Sequence, residues 1–151
     1  MNSIHLLIVD DEERFLSTTK ILMEKRGVKT LTAAGGAEAL QILEEARVDV
    51  VVLDVKMPVM DGVETLKRIK RKYSLIEVIM LTGHASVDSA VDGMKLGAFD
   101  YVMKPCDIQD ILEKVQKAYD KKQAMEEKIR KVKIERIISH PMAVFEKNGK
   151  E

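Results

Sequence analysis

Five chemically capable side chains share one setting in this sequence: each follows directly on a short apolar run. Asp10 and Asp11 follow the run at 4–9, IHLLIV, and Asp54 follows VDVVVL at 48–53. Thr82 follows EVIML at 77–81, and Lys104, with Pro105 next to it, follows FDYVM at 99–103. A single aspartate after a strand is ordinarily a turn or helix-capping residue. Three carboxylates in one place are different, because ionised acids repel and raise one another's pKa unless a cation offsets them. Lys104 supplies one such charge, and a hard divalent ion taking oxygen ligands would supply more. Carboxylates with a divalent cation suit phosphoryl groups, and a carboxylate can itself be the nucleophile, giving an aspartyl phosphate. Asp54 is the expected acceptor, with Thr82 hydrogen-bonding one phosphoryl oxygen and Lys104 pairing with another.

These residues meet only if the apolar runs are neighbouring strands. The runs at 4–9, 48–53 and 77–81 are nearly continuous in apolar character, as parallel strands covered on both faces should be. A fifth run, KTLTA, stands at 29–33. Segments of helical spacing separate the runs. Phe15, Thr18, Thr19, Leu22 and Met23 mark the first helix, stopped by Gly27; Ala37, Leu40, Ile42 and Leu43 mark the second. Asp61 caps a third with Val63, Leu66 and Ile69 as its stripe. Ser86 caps a fourth with Val87, Val91, Met94 and Leu96, ended by Gly97. Asp107 caps a fifth with Ile108, Ile111, Leu112 and Val115. The fivefold strand–helix alternation predicts an α/β fold: a doubly wound five-stranded parallel sheet of order 2-1-3-4-5 with an extended C-terminal helix. In such sheets ligands bind beyond the carboxyl ends of the strands, where the order switches between the first and third. All five residues fall on that edge.

The motifs HLLIVDDEE, VVLDVKMPVMDG, VIMLTG and LGAFDYVMKP resemble the receiver domain of bacterial two-component response regulators, over about residues 4 to 119. Members of this family are themselves the standing example of the 2-1-3-4-5 order, so resemblance and topology are not independent. The resemblance implies that Asp54 takes a phosphoryl group from a sensor histidine kinase. It implies Mg²⁺ (or Mn²⁺) held by Asp11, Asp54 and the backbone carbonyl of Lys56, with Asp10 acting through water. Thr82 and Lys104 would bind the phosphoryl oxygens, and Lys104–Pro105 would be a cis peptide. Tyr101 stands at the family's switching aromatic, coupled to Thr82, although a strand tyrosine can equally be ordinary packing. No position the family requires is missing. Lys56 and His84 occupy variable positions flanking the site and either tune the lifetime of the phosphorylated state or point to solvent.

The 151 residues are expected to divide into a receiver at 1–119 and a C-terminal helical extension and tail at 120–151. The fifth helix is expected to continue through at least Arg136. A heptad runs through Ile111, Val115, Ala118, Lys122, Met125, Ile129, Val132 and Arg136, in which Lys122 and Arg136 are out of character. It reads either as a short coiled coil between two subunits or as a solvated basic helix. A homodimer, where one forms, would use that helix or the face made by helix four, strand five and helix five. Val144 and Phe145 are candidate anchors in the tail.

Composition narrows the partners. Net charge is zero, with Lys and Arg crowded into 114–136, so nucleic acid is not expected to be bound by this chain. Cys106 is the only cysteine, which excludes an intrachain disulfide. No run is long enough to span a bilayer, and a cytoplasmic location is expected. The expected partners are a sensor kinase and a downstream protein target or phosphotransfer protein. The alternatives are the receiver part of a longer ATPase or DNA-binding transcriptional regulator, and an interaction module that works without phosphate. A phosphohydrolase of the haloacid dehalogenase type would need an acid two residues after the nucleophile, where Lys56 stands. Gly35-Gly36 lacks the GxGxxG spacing of a dinucleotide loop. His5 and His140 have no partner legible in the sequence.

Overall fold

The computed structural model describes residues 3–83 and 87–140. Ser86, His84, Val144 and Phe145 lie outside them. The strands are β1 (His5–Val9), β2 (Lys29–Ala33), β3 (Val50–Asp54), β4 (Glu77–Thr82) and β5 (Asp100–Met103). The helices are α1 (Glu13–Lys25), α2 (Gly36–Glu45), α3 (Gly62–Lys72), α4 (Val87–Lys95) and α5 (Ile108–Ser139). All four strand pairings are parallel and the order is β2-β1-β3-β4-β5, as expected.

Strand side chains alternate between the two faces, and each face has its own core. Leu7, Val9, Val51, Leu53, Val78 and Met80 pack with Leu43, Leu66 and Ile69 of α2 and α3. Leu6, Ile8, Val50, Val52, Ile79 and Leu81 pack with Leu16 and Met23 of α1 and with Ile111, Val115 and Ala118 of α5. Burial on both faces accounts for the unbroken apolar runs of β1, β3 and β4. Gly27 and Gly97 follow α1 and α4 with φ of +82° and +106°, the left-handed conformation in which glycine ends a helix without a Cβ clash.

Three helix stripes differ in detail from the sequence expectation. In α1, Leu16 is buried and Thr18 exposed; in α2, Ala39 is buried and Ala37 exposed. The largest departure is α4, where Val91, Met94 and Leu96 are exposed and the sheet is met by Ala90 and Gly93. A Cβ on Gly93 would lie 3.2 Å from the Met80 side chain. The helix therefore rides close on its small residues and turns its large apolar ones outward.

Helix α5 is a single helix of 32 residues, so the expected boundary at 119–120 falls inside a continuous element. The first heptad positions are already used within the chain: Ile111, Val115 and Ala118 are buried against the sheet. Lys122 is used too, since its ammonium lies 3.1 Å from Asp49 and also pairs with Glu126. Met125, Ile129 and Val132 of the same series are exposed.

Candidate functional site: the acidic crevice

Strand hydrogen bonding sets the crevice. Asp10 leaves β1 with its backbone N–H still donating to Ala33 O at 3.1 Å, and its side chain is buried. Asp54 is the last residue of β3 and faces Leu81 in the register with β4. Thr82 is the next residue of β4, and its carbonyl accepts from Lys104 N at 2.7 Å. The ends of β1, β3, β4 and β5 thereby open on one edge of the sheet.

Carboxylate oxygens of Asp10, Asp11 and Asp54 all lie within 4.8 Å of one another. Lys104 Nζ stands 2.6 Å from Asp10 Oδ2 and 3.9 Å from Asp54 Oδ1. The other Asp10 oxygen accepts from Glu12 N at 2.9 Å, so both oxygens of Asp10 are engaged while Asp11 is exposed. Burial, then the charge of Asp10 and more weakly that of Asp11, pushes the Asp54 carboxyl up to about 6, against Lys104 and the Lys56 backbone N–H. For Lys104, burial works against the ammonium, but the hydrogen bond to Asp10 and the charges of Asp54, Asp10 and Glu12 outweigh it and raise the pKa. An acid cluster under this mutual repulsion offers hard oxygen donors of the kind a divalent ion takes, so the donor set fits such an ion.

The loop after Asp54 accounts for the Gly62 of its motif. Gly62 N donates to Val55 O at 2.8 Å, and a Cβ there would lie 2.3 Å from the Asp54 carbonyl oxygen. Asp61 then caps α3, accepting from Glu64 N at 2.9 Å. Only glycine lets the start of α3 lie so close against the end of β3.

The structure brings together Asp10, Asp11, Asp54 and Lys104, with Thr82 one step along β4. The Thr82 hydroxyl is buried and donates to Gly83 O at 3.0 Å. The Lys56 side chain is exposed. Tyr101 lies on β5 three residues before Lys104 and is 37% exposed, so its ring is not packed in the core. Lys104–Pro105 is cis. Cys106 is half-buried; burial first, then Asp110, raises its thiol pKa.

Two features went unread in the sequence. Phe15, assigned to the α1 stripe, presents its ring 4.8 Å from Lys104 Nζ. Asp49, fully buried at the opposite edge of the sheet, accepts from His5 N at 2.9 Å and meets Arg47 and Lys122. The His5 imidazole Nδ1 stands 3.6 Å from the same carboxylate, beyond hydrogen-bond length.

The fold and site together define a doubly wound parallel α/β domain whose switch point holds three acids and a lysine. A model of the response regulator receiver domain family matches residues 6–116, and the chain belongs to that family. It is 40% identical over 128 residues to "Regulatory protein AtoC" of Escherichia coli K12, covering 83% of this chain and 27% of that protein. It is 36% identical over 111 residues to "DNA-binding transcriptional regulator NtrC" of the same strain, covering 74% and 24%. The chain thus spans about a quarter of the length of these curated relatives. A crystal structure of a response regulator receiver domain protein from Clostridium thermocellum superposes with a TM-score of 0.78 at 38% identity, covering 81% of this chain and 98% of that one. The family is one of phosphoryl-accepting signalling domains, generally not catalytic. Among the described residues no helix is long and apolar enough to cross a membrane.

Proposed function

We propose that Asp54 is the phosphoacceptor of a two-component signalling switch. The observation that carries this is the Asp54 carboxylate held beside Asp10 and Asp11 with Lys104 within 3.9 Å. Attack by an Asp54 oxygen on the phosphorus of a kinase phosphohistidine forms the O–P bond as the P–N bond breaks, and the electron pair returns to the imidazole nitrogen. Lys104 pairs with the charge gathering on the phosphoryl oxygens, and the Thr82 hydroxyl exchanges Gly83 O for one of them. Asp11, Asp54 and the Lys56 carbonyl would hold Mg²⁺ or Mn²⁺, with Asp10 contributing through water; the ion neutralises charge on the phosphoryl group when bound. Dephosphorylation is attack by water on the same phosphorus, assisted by the chain itself: the new O–P bond forms as the Asp54 O–P bond breaks, which returns the carboxylate and releases inorganic phosphate. Lys56 and His84 are the residues whose replacement by alanine would alter that rate if they govern it; unchanged rates sink that part.

The output reading follows from the outward turn of α4. Val91 and Met94 on α4, Leu96 just after it and Tyr101 on β5 are exposed apolar groups, and α4 packs with β5. Reorientation of Tyr101 in concert with Thr82 would change this face for a downstream protein, a phosphotransfer protein or a second copy. The receiver unit is taken as 1–119 and the extension as 120–151. A sensor kinase as phosphoryl donor goes with a cytoplasmic location, which is part of this proposal.

The test is intact mass after incubation with acetyl phosphate and Mg²⁺, beside Asp54→Asn. A single phosphoryl adduct on the wild type alone is expected. An adduct of equal yield on Asp54→Asn overturns the assignment, and no adduct on folded wild type favours a module that signals without phosphate.

A second reading, a receiver portion of a longer transcriptional regulator, is favoured by the quarter-length coverage of the curated relatives. The mass of the native protein isolated from its own cells decides it.

A further inference from the structure

We propose that Phe15 is a positioning residue of the phosphoryl site, its ring face fixing the Lys104 ammonium so that one N–H stays available for the phosphoryl group. The inference rests on Asp54 being the acceptor. An ammonium has three N–H donors. One is used by Asp10 Oδ2 at 2.6 Å. Asp54 Oδ1, at 3.9 Å, is attracted but beyond hydrogen-bond length. The Phe15 ring, with its centroid 4.8 Å away, lies inside the range in which an aromatic face attracts a cation.

The ring attracts the charge without accepting a directed hydrogen bond through a lone pair. Glu12 is close enough for its charge to act on Lys104. Without the ring, water or the Glu12 carboxylate takes the free donor and draws the flexible side chain off the line to Asp54. Phe15 is half-buried and also packs against the α1–α5 core, so a plain packing role must be separated from this one.

Phe15→Leu keeps an apolar, though shorter, side chain and removes the π face; Phe15→Tyr keeps the ring face and its reach. On the full chain with Mg²⁺ and acetyl phosphate, Phe15→Leu is expected to lower the initial rate of adduct formation about threefold to fivefold, the range of an ordinary cation–π contact. Phe15→Tyr is expected to stay within about twofold of wild type. In the unphosphorylated proteins, the ε-CH₂ protons of Lys104 are expected to show a ring-current upfield shift in NMR spectra of wild type and Phe15→Tyr that is lost in Phe15→Leu.

A wild type that is labelled while Phe15→Leu keeps pace overturns the positioning role alone. So does a Lys104 resonance with no ring-current shift in the wild type, or a Phe15→Tyr as slow as Phe15→Leu. A folded wild type that takes no phosphoryl group overturns the acceptor reading, and this inference with it.

Discussion

Lys122 of α5 and Asp49 of the loop before β3 form an ion pair of 3.1 Å at the edge of the sheet opposite the acidic crevice. Asp49 is fully buried and Lys122 nearly so, with 12% of its side chain exposed. Burial works against the Lys122 ammonium, but its hydrogen bonds to Glu126 and Asp49 prevail and raise its pKa. The pair joins the middle of α5 to the start of β3, the strand that carries Asp54 at its other end.

Removing one partner of a buried pair leaves the other charge short of compensation. Arg47 and the His5 backbone N–H remain on Asp49, which limits the loss. Lys122→Ala should therefore lower the unfolding free energy by about 2 kcal/mol in urea titrations. Lys121→Ala removes an ion pair to Glu77 whose lysine is half exposed. Its cost should stay below about 1 kcal/mol.

Asp54 gives stability a pH dependence with a definite sign. Its carboxyl is raised to about 6 in the folded chain, from 3.8. Between those values the native state binds more protons than the unfolded one, so stability falls as pH rises through the window. In metal-free protein, Asp54→Asn should be more stable than wild type at pH 7, the advantage shrinking to nothing near pH 4. Thermal melts across that range check it, and added Mg²⁺ should narrow the gap at pH 7.

Gly62 is irreplaceable for a reason of space. Its missing Cβ would meet the Asp54 carbonyl oxygen at 2.3 Å and Val55 Cα at 2.7 Å, both backbone atoms that cannot swing aside. Gly62→Ala should cost about 2–3 kcal/mol of stability and slow labelling of Asp54 by moving the strand end. A variant of wild-type stability in urea would contradict it.

Val59 offers the opposite case. It holds φ at +69° in the loop between Asp54 and α3, with its side chain fully exposed. A β-branched residue is strained in this left-handed region, and no burial compensates it here. Val59→Asn or Val59→Gly should raise stability by about 1 kcal/mol, read as a higher urea midpoint at unchanged slope.

The fold was legible because its signals are local. The apolar runs of β1, β3 and β4, the glycines at 27 and 97 and the Asp61 cap each act within a few residues, and the crossover rule then leaves few topologies. The five crevice residues were legible because a parallel sheet brings every strand end to one edge, so position along each run sufficed. Helix faces were less so. In α4 the apolar spacing pointed to Val91 and Met94, but the buried positions are Ala90 and Gly93, the latter close against Met80.

By itself the sequence determined the order of elements, the sheet order and the company of Asp10, Asp11, Asp54, Thr82 and Lys104. Only the tertiary structure decided that Lys104 leans on Asp10 and faces Phe15, that Asp49 is buried beneath Lys122, and that the first half of the α5 heptad is spent on the chain's own sheet. The reason is physical. Periodicity tells which side of an element is apolar, whereas distances between side chains from different elements depend on how closely those elements pack, which no local pattern encodes.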